Sequence, residues 1–101
     1  GLFYQIETMD LGNGWYHNPW IGPFYPVGNG WLYHLDLGWV SLSGGDSSSW
    51  LWLPVANNWY WTSQSAYPFL YRQASVYWIY YSDLYDAFYH HGESAGWSVS
   101  P

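Results

Sequence analysis

An aromatic or leucine residue opens a short run, and a second aromatic follows eight or nine places later; this pairing recurs five times along the 101-residue chain. Such constancy is the mark of one supersecondary unit used repeatedly. Trp31-Leu32-Tyr33-His34 leads to Gly38-Trp39-Val40-Ser41, and Trp50-Leu51-Trp52-Leu53 leads to Asn58-Trp59-Tyr60-Trp61-Thr62. Looser copies run from Leu70-Tyr71-Arg72 to Tyr77-Trp78-Ile79-Tyr80-Tyr81, from Phe88-Tyr89-His90 to Gly96-Trp97-Ser98-Val99, and from Trp15-Tyr16-His17 to Phe24-Tyr25. Each half is short, rich in Trp, Tyr, Val and Ile, and bounded by Gly, Asn, Asp, Ser or Pro, which is the pattern of strands separated by tight turns. Good helix formers are scarce, and no long window carries an apolar stripe at helical spacing. The expected fold is therefore all-β, an antiparallel meander of about five aromatic-rich β-hairpins.

Ahead of that series, Leu2 to Met9 reads as a further strand, joined to the first hairpin through a turn-like Leu11-Gly12-Asn13-Gly14 hinge. The chain accordingly divides into an N-terminal strand or extension over residues 1–12 and a single domain over residues 13–101. Successive residues of a strand point to opposite faces. Trp31 and Tyr33, Trp50 and Trp52, and Trp59 and Trp61 then share faces, with Leu32 and His34, Leu51 and Leu53, and Tyr60 and Thr62 opposite.

Charge narrows the partners. Seven acidic residues stand against Arg72 alone, a formal net charge of −6, so the basic footprint needed for a phosphate backbone is missing and nucleic acid is excluded as a partner. No run approaches the ~20 apolar residues of a membrane-spanning helix, so no membrane insertion is expected. There is no cysteine to form a disulfide framework or a thiolate metal site. The opening Gly1, in place of Met, together with the Tyr, Trp, Ser, Gly and Asn richness points to a secreted, extracellular product or an excised module.

The ordered series Trp31-Leu32-Tyr33-His34, Leu37-Gly38-Trp39, Trp50-Leu51-Trp52, Trp59-Tyr60-Trp61-Thr62, Tyr67-Pro68-Phe69-Leu70-Tyr71-Arg72 and Trp78-Ile79-Tyr80-Tyr81 resembles an aromatic-rich module near the C-terminus of large secreted or surface proteins of Verrucomicrobia-like bacteria. The likeness covers residues 13–97 and implies an extracellular bacterial setting; it carries no activity with it. Val40-Ser41 departs from that pattern, where the module usually has another aromatic.

Catalysis has thin raw material. His90 and His91 lie near Asp83, Asp86 and Glu93, but adjacent strand residues face opposite ways, so the pair reads as part of a solvated turn and no metal or cofactor is expected. His17 and His34 fall at matching places in their units, which predicts a shared structural task, hydrogen bonding across a turn. No nucleophile elbow and no phosphate-cradling glycine loop is present, and no carboxylate pair stands out, so the chain is expected not to be an enzyme.

Two roles are compatible with 26 aromatic residues in a chain whose interior cannot hold them all. The first is an extracellular structural subunit that self-assembles with copies of itself into a fibre, filament or array. In that role the apolar, β-prone Leu2, Phe3, Tyr4 and Ile6 form the assembly strand, adding to the open edge of a neighbour. The second is a carbohydrate- or cell-surface-binding module, similar by analogy to the choline- and glucan-binding aromatic repeats of cell-wall proteins. Trp59, Trp61 and Trp78 would then stack on a polysaccharide.

Overall fold

The computed structural model describes residues 8–44, 48–92 and 94–101. They form eleven strands: β1 (Met9–Gly12), β2 (Trp15–Asn18), β3 (Gly22–Gly28), β4 (Trp31–His34), β5 (Gly38–Gly44), β6 (Ser48–Leu53), β7 (Asn58–Ser63), β8 (Phe69–Arg72), β9 (Tyr77–Ser82), β10 (Ala87–His90) and β11 (Gly96–Ser98). All belong to one antiparallel sheet in chain order. The five aromatic pairings are the hairpins β2–β3, β4–β5, β6–β7, β8–β9 and β10–β11, with β1 as the additional N-terminal strand. In the second hairpin Leu32 pairs with Val40 and Tyr33 with Trp39; in the third Trp50 pairs with Trp61 and Trp52 with Trp59.

Met9 pairs with His17 and Asp10 with Tyr16, so residues 9–12 form the first strand of the sheet, ahead of the five hairpins. The expected hinge is a tight turn: Asn13 and Gly14 both have positive φ, 57° and 87°, as a two-residue type I′ hairpin requires. The same Gly-Asn-Gly-Trp run recurs sixteen residues later, at residues 28–31, with Asn29 and Gly30 at 55° and 79°. Both copies carry a bulge just before the turn.

Leu2, Phe3, Tyr4 and Ile6 lie outside the described residues.

One face holds the core. Phe24, Leu32, Val40, Leu51, Leu53, Tyr60, Leu70, Ile79, Tyr81 and Phe88 point to it, and all are buried. A single sheet with no second layer can bury a face only by curling over it. The molecule measures 41 × 27 × 23 Å, and 23 Å is too thick for one flat layer, since stacked sheets lie only ~10 Å apart. Twist explains where the curl closes. Neighbouring strands rotate by ~20–25°, so the five steps from β4 to β9 accumulate roughly 100–125°. That rotation turns the β2–β3 and β4–β5 turns at one end of the strands toward the β7–β8 and β9–β10 loops at the other.

The join is visible in contacts distant along the chain. The Tyr81 hydroxyl lies 3.2 Å from Asp36 Oδ1, and the ring of Tyr67 stands edge-on to His34 and to Trp20, with centroids 6.0 and 6.1 Å apart.

Candidate functional site

Two features of the surface follow from this curl: an aromatic outer face and a polar cleft at the closing junction. The outer face carries the residues alternate to the core. Cross-strand pairing places Tyr33 beside Trp39, Trp52 beside Trp59, Trp50 beside Trp61, Trp61 beside Tyr71, Tyr71 beside Trp78, and Tyr89 beside Trp97. The rings interlock edge to face. Tyr33 and Trp39 are 5.4 Å apart at 81°, Tyr71 and Trp78 5.5 Å at 68°, and Tyr89 and Trp97 5.3 Å at 71°. This is the arrangement the ring quadrupole favours. It leaves much of each ring in water: Trp39 is 49% exposed and Trp78 38%.

Among the described residues, no Asp, Glu, Lys or Arg occupies an outward strand position from β2 to β11. The one arginine is turned inward. Arg72 donates through Nε to the Tyr60 hydroxyl at 3.3 Å and through Nη1 to Ser75, and its guanidinium lies 6.0 Å from the Tyr77 ring.

The three tryptophans singled out for sugar stacking do share this face. Trp61 and Trp78 meet at 6.1 Å and 77°, whereas Trp59 packs on Trp52 at 5.4 Å. They are two neighbouring ring pairs in a longer stripe, with rings tilted against one another, and not a flat three-ring floor.

The junction cleft has a volume of about 660 Å³, with Trp20, Asp36, Tyr67, Tyr81 and Asp83 among its walls. His34, which precedes the lining residues Leu35 and Asp36, is buried and does not itself line the cleft. The imidazole is 1% exposed; Nε2 lies 2.6 Å from the Ile21 carbonyl, and Nδ1 is 3.1 Å from the backbone N–H groups of both Asp36 and Leu37. A carbonyl only accepts and an amide only donates, so Nε2 carries the proton and Nδ1 is bare. Burial holds the imidazole pKa below its ordinary value, against the opposing pull of the Ile21 carbonyl and of Asp36 and Asp83.

The expected equivalence of His17 and His34 is off by one place. Aligned on the two Gly-Asn-Gly-Trp runs, His34 matches Asn18, and His17 matches Tyr33. Asn18 is fully buried and accepts from the Trp20 amide at 2.9 Å, the same turn bond that His34 makes to Asp36. The predicted task is real for His34; His17 sits on the opposite face because a one-residue shift reverses a strand side chain.

Tyr81 adds a second constraint. Its hydroxyl is 3.2 Å from Asp36 Oδ1 and 2.8 Å from Asp86 Oδ1, yet a hydroxyl has one proton to donate. Burial lifts the Asp36 pKa above the ordinary value of 3.8, with Asp83 and Asp86 adding to the lift and His34 and the Tyr81 bond opposing it. Asp36→Asn should therefore stabilise the fold at pH 7, by about 0.5 kcal/mol because solvent screens much of the effect. A raised folded-state pKa contributes stability below the unfolded value and loses it as pH rises through the folded one. The gain should accordingly vanish when urea titrations are repeated near pH 3; a gain equal at both pH values would mean that charge is not its cause.

The remaining candidates separate. His90 bonds through Nδ1 to the Tyr77 hydroxyl and through Nε2 to the Ser100 carbonyl, both at 2.9 Å, while His91 packs against Tyr89 and Phe69 on the outer side. Glu93 lies outside the described residues. Among those described, no three His, Asp or Glu side chains gather closely enough to hold a metal ion. Comparison with family models, with curated proteins and with solved structures yields no match.

Proposed function

We propose that this chain is a non-catalytic, extracellular module that holds a neutral polysaccharide against its aromatic outer face, in the bacterial-surface setting implied by the resemblance of its motif series. The observation that carries the reading is the face itself: a stripe of half-exposed Trp and Tyr rings crossing the sheet, with no charged side chain at its outward strand positions from β2 to β11 among the described residues. Exposed aromatic area on this scale marks a partner surface. The absence of charge suits an uncharged partner, whose hydroxyls can bond to Ser41, Ser43 and the tyrosine hydroxyls while its ring faces lie on indole. Curvature favours a thin chain over a second copy, because the core lies on the inside of the curl and the rings on the outside, and two convex faces share little area.

Co-sedimentation with insoluble cellulose, β-1,3-glucan and chitin tests the reading. Retention on at least one of them is expected. Trp61→Ala and Trp78→Ala should each weaken it by about 2 kcal/mol, roughly 30-fold, the usual loss for an aromatic anchor. No retention on any of the three, or retention indifferent to both substitutions, would overturn it.

Self-assembly is supported by a separate observation. Among the described residues β1, which residues 1–8 immediately precede, has one edge without a strand partner. That edge is short, bulged and carries Asp10, which are devices that discourage pairing. Electron microscopy of the full chain and of a chain lacking residues 1–8 decides: fibres that disappear on truncation favour assembly through Leu2, Phe3, Tyr4 and Ile6, and a monomeric full-length chain removes it.

A further inference from the structure

The β4–β5 turn, residues 35–37, is the point where the sheet curls onto itself, and beside the backbone bond from the Leu35 amide to the Pro23 carbonyl at 3.2 Å one buried side chain holds it. His34 fastens its own turn by accepting the Asp36 and Leu37 amides at Nδ1, and it fastens the neighbouring β2–β3 turn by donating from Nε2 to the Ile21 carbonyl. The turn so held presents Asp36 to Tyr81, five strands away. Leu37 and Ile21, at 4% and 2% exposure, are buried beneath it.

We propose that His34 is an acid-operated latch: a proton added at Nδ1 releases the β4–β5 turn and, with it, the Asp36–Tyr81 contact that closes the sheet.

The step follows from the donor and acceptor inventory. Imidazolium carries N–H at both ring nitrogens, so a protonated Nδ1 faces two amide N–H groups with nothing to accept. Both bonds are lost, and the two amides are left to find water. An unpaired polar group inside costs more than the bond it made, so the turn moves outward. Asp36 moves with it, and the Tyr81 hydroxyl is left with Asp86 alone.

The groups facing the ring bear on the sign. Asp36 from the same turn and Asp83 from the β9–β10 turn both favour the cation; burial opposes it and is the larger effect. The Ile21 carbonyl from the β2–β3 turn accepts from Nε2 in either state. The Tyr67 ring from the β7–β8 loop stands edge-on at 6.0 Å and carries no charge, its hydroxyl being held well above its ordinary pKa by burial and by the nearby carboxylates. A lowered folded-state pKa means that the unfolded chain binds the proton more readily, so stability present above about 6.5 is lost as pH falls toward the folded value. The preceding hairpin is an internal control. Asn18 makes the equivalent bond and cannot titrate, so acid should loosen one turn and spare its neighbour.

Amide hydrogen exchange of the full chain, followed by NMR between pH 7.5 and 5 and corrected for intrinsic rates, tests this. Protection at Asp36 and Leu37 should fall about tenfold, the scale of loss expected when each amide gives up its hydrogen bond to the ring. Protection at Trp20 and across β6–β7 should hold. His34→Gln places a non-titrating acceptor and donor in the ring's position and should flatten the response. Nitrogen shifts of His34 in the wild-type chain supply a reading that needs no variant: Nδ1 bare at pH 7 and titration below 6.5 are expected. A protonated Nδ1 at pH 7, unchanged protection at pH 5, loss in step with the whole sheet, or the same response in His34→Gln would each overturn the latch.

Discussion

Leu51→Ala will destabilise the fold by about 3 to 5 kcal/mol, whereas Trp50→Ala, which removes a much larger side chain from the adjacent position, will cost about 1 kcal/mol. The inversion follows from which face each occupies. Leu51 is fully buried, with Tyr60 opposite it on β7 and Leu42 on β5, so truncation leaves a cavity lined by side chains that cannot collapse into it. Trp50 is 36% exposed on the convex side, between Ser43 and Trp61, and its loss opens a surface notch that water fills. Urea denaturation followed by circular dichroism at pH 7.5 measures both. The pH of 7.5 keeps His34 neutral. If Trp50→Ala proves the costlier change, the assignment of the two faces is wrong and the aromatic stripe is the core.

That inversion also marks the limit of what alternation discloses. Period-two patterning sorts Trp50 and Trp52 from Leu51 and Leu53, and Trp59 and Trp61 from Tyr60 and Thr62, as the sheet displays them. It is silent on which set lies inside. Hydrophobicity scales do not decide between leucine and tryptophan; curvature does. On the inner side of a curled sheet the Cα–Cβ directions converge, and compact Leu, Val and Ile fill the narrowing space. On the outer side they diverge, and broad indoles have room to interlock.

Curl is a property of accumulated twist over many strands, and no local stretch announces it. The Asp36–Tyr81 contact joins residues 45 positions apart, with no shared motif between them, so the junction cleft was not legible in advance. Other misses had a signal that was available. The two Gly-Asn-Gly-Trp runs fix a sixteen-residue repeat over the first two hairpins, and aligning on them puts His34 against Asn18 and makes Asn13-Gly14 a tight turn. Counting from the aromatic runs alone, which differ in length, displaced the first unit by one residue. For Trp59, Trp61 and Trp78 a common face could be read from strand parity, but the edge-to-face tilt of their rings depends on packing that sequence spacing does not encode.

Removing the last hairpin, residues 87–101, should abolish cooperative folding, whereas removing residues 1–12 should lower the melting temperature by no more than about 5 °C, the equivalent of ~1 kcal/mol in a domain of this size. Strand-to-strand contacts run chiefly between sequence neighbours, so a purely one-dimensional view would treat the two ends alike. Closure makes them unequal. All four residues of β1 are exposed, and its loss bares one edge of β2. β10 brings Phe88, 4% exposed and 5.1 Å from the Tyr81 ring, and it covers the edge of β9 that carries Ile79 and Tyr81 into the core. The same cut takes away Asp86's neighbouring strand and the His90 bond to Tyr77, so the junction loses its support from behind. Truncating one buried phenylalanine alone costs about 3 to 5 kcal/mol, and a domain of this kind has only ~5–15 kcal/mol in total. Differential scanning calorimetry of the two truncated chains separates the views. A sharp transition in the chain ending at Asp86, close to that of the full-length protein, would show that the sheet is stable strand by strand and that closing the curl contributes little.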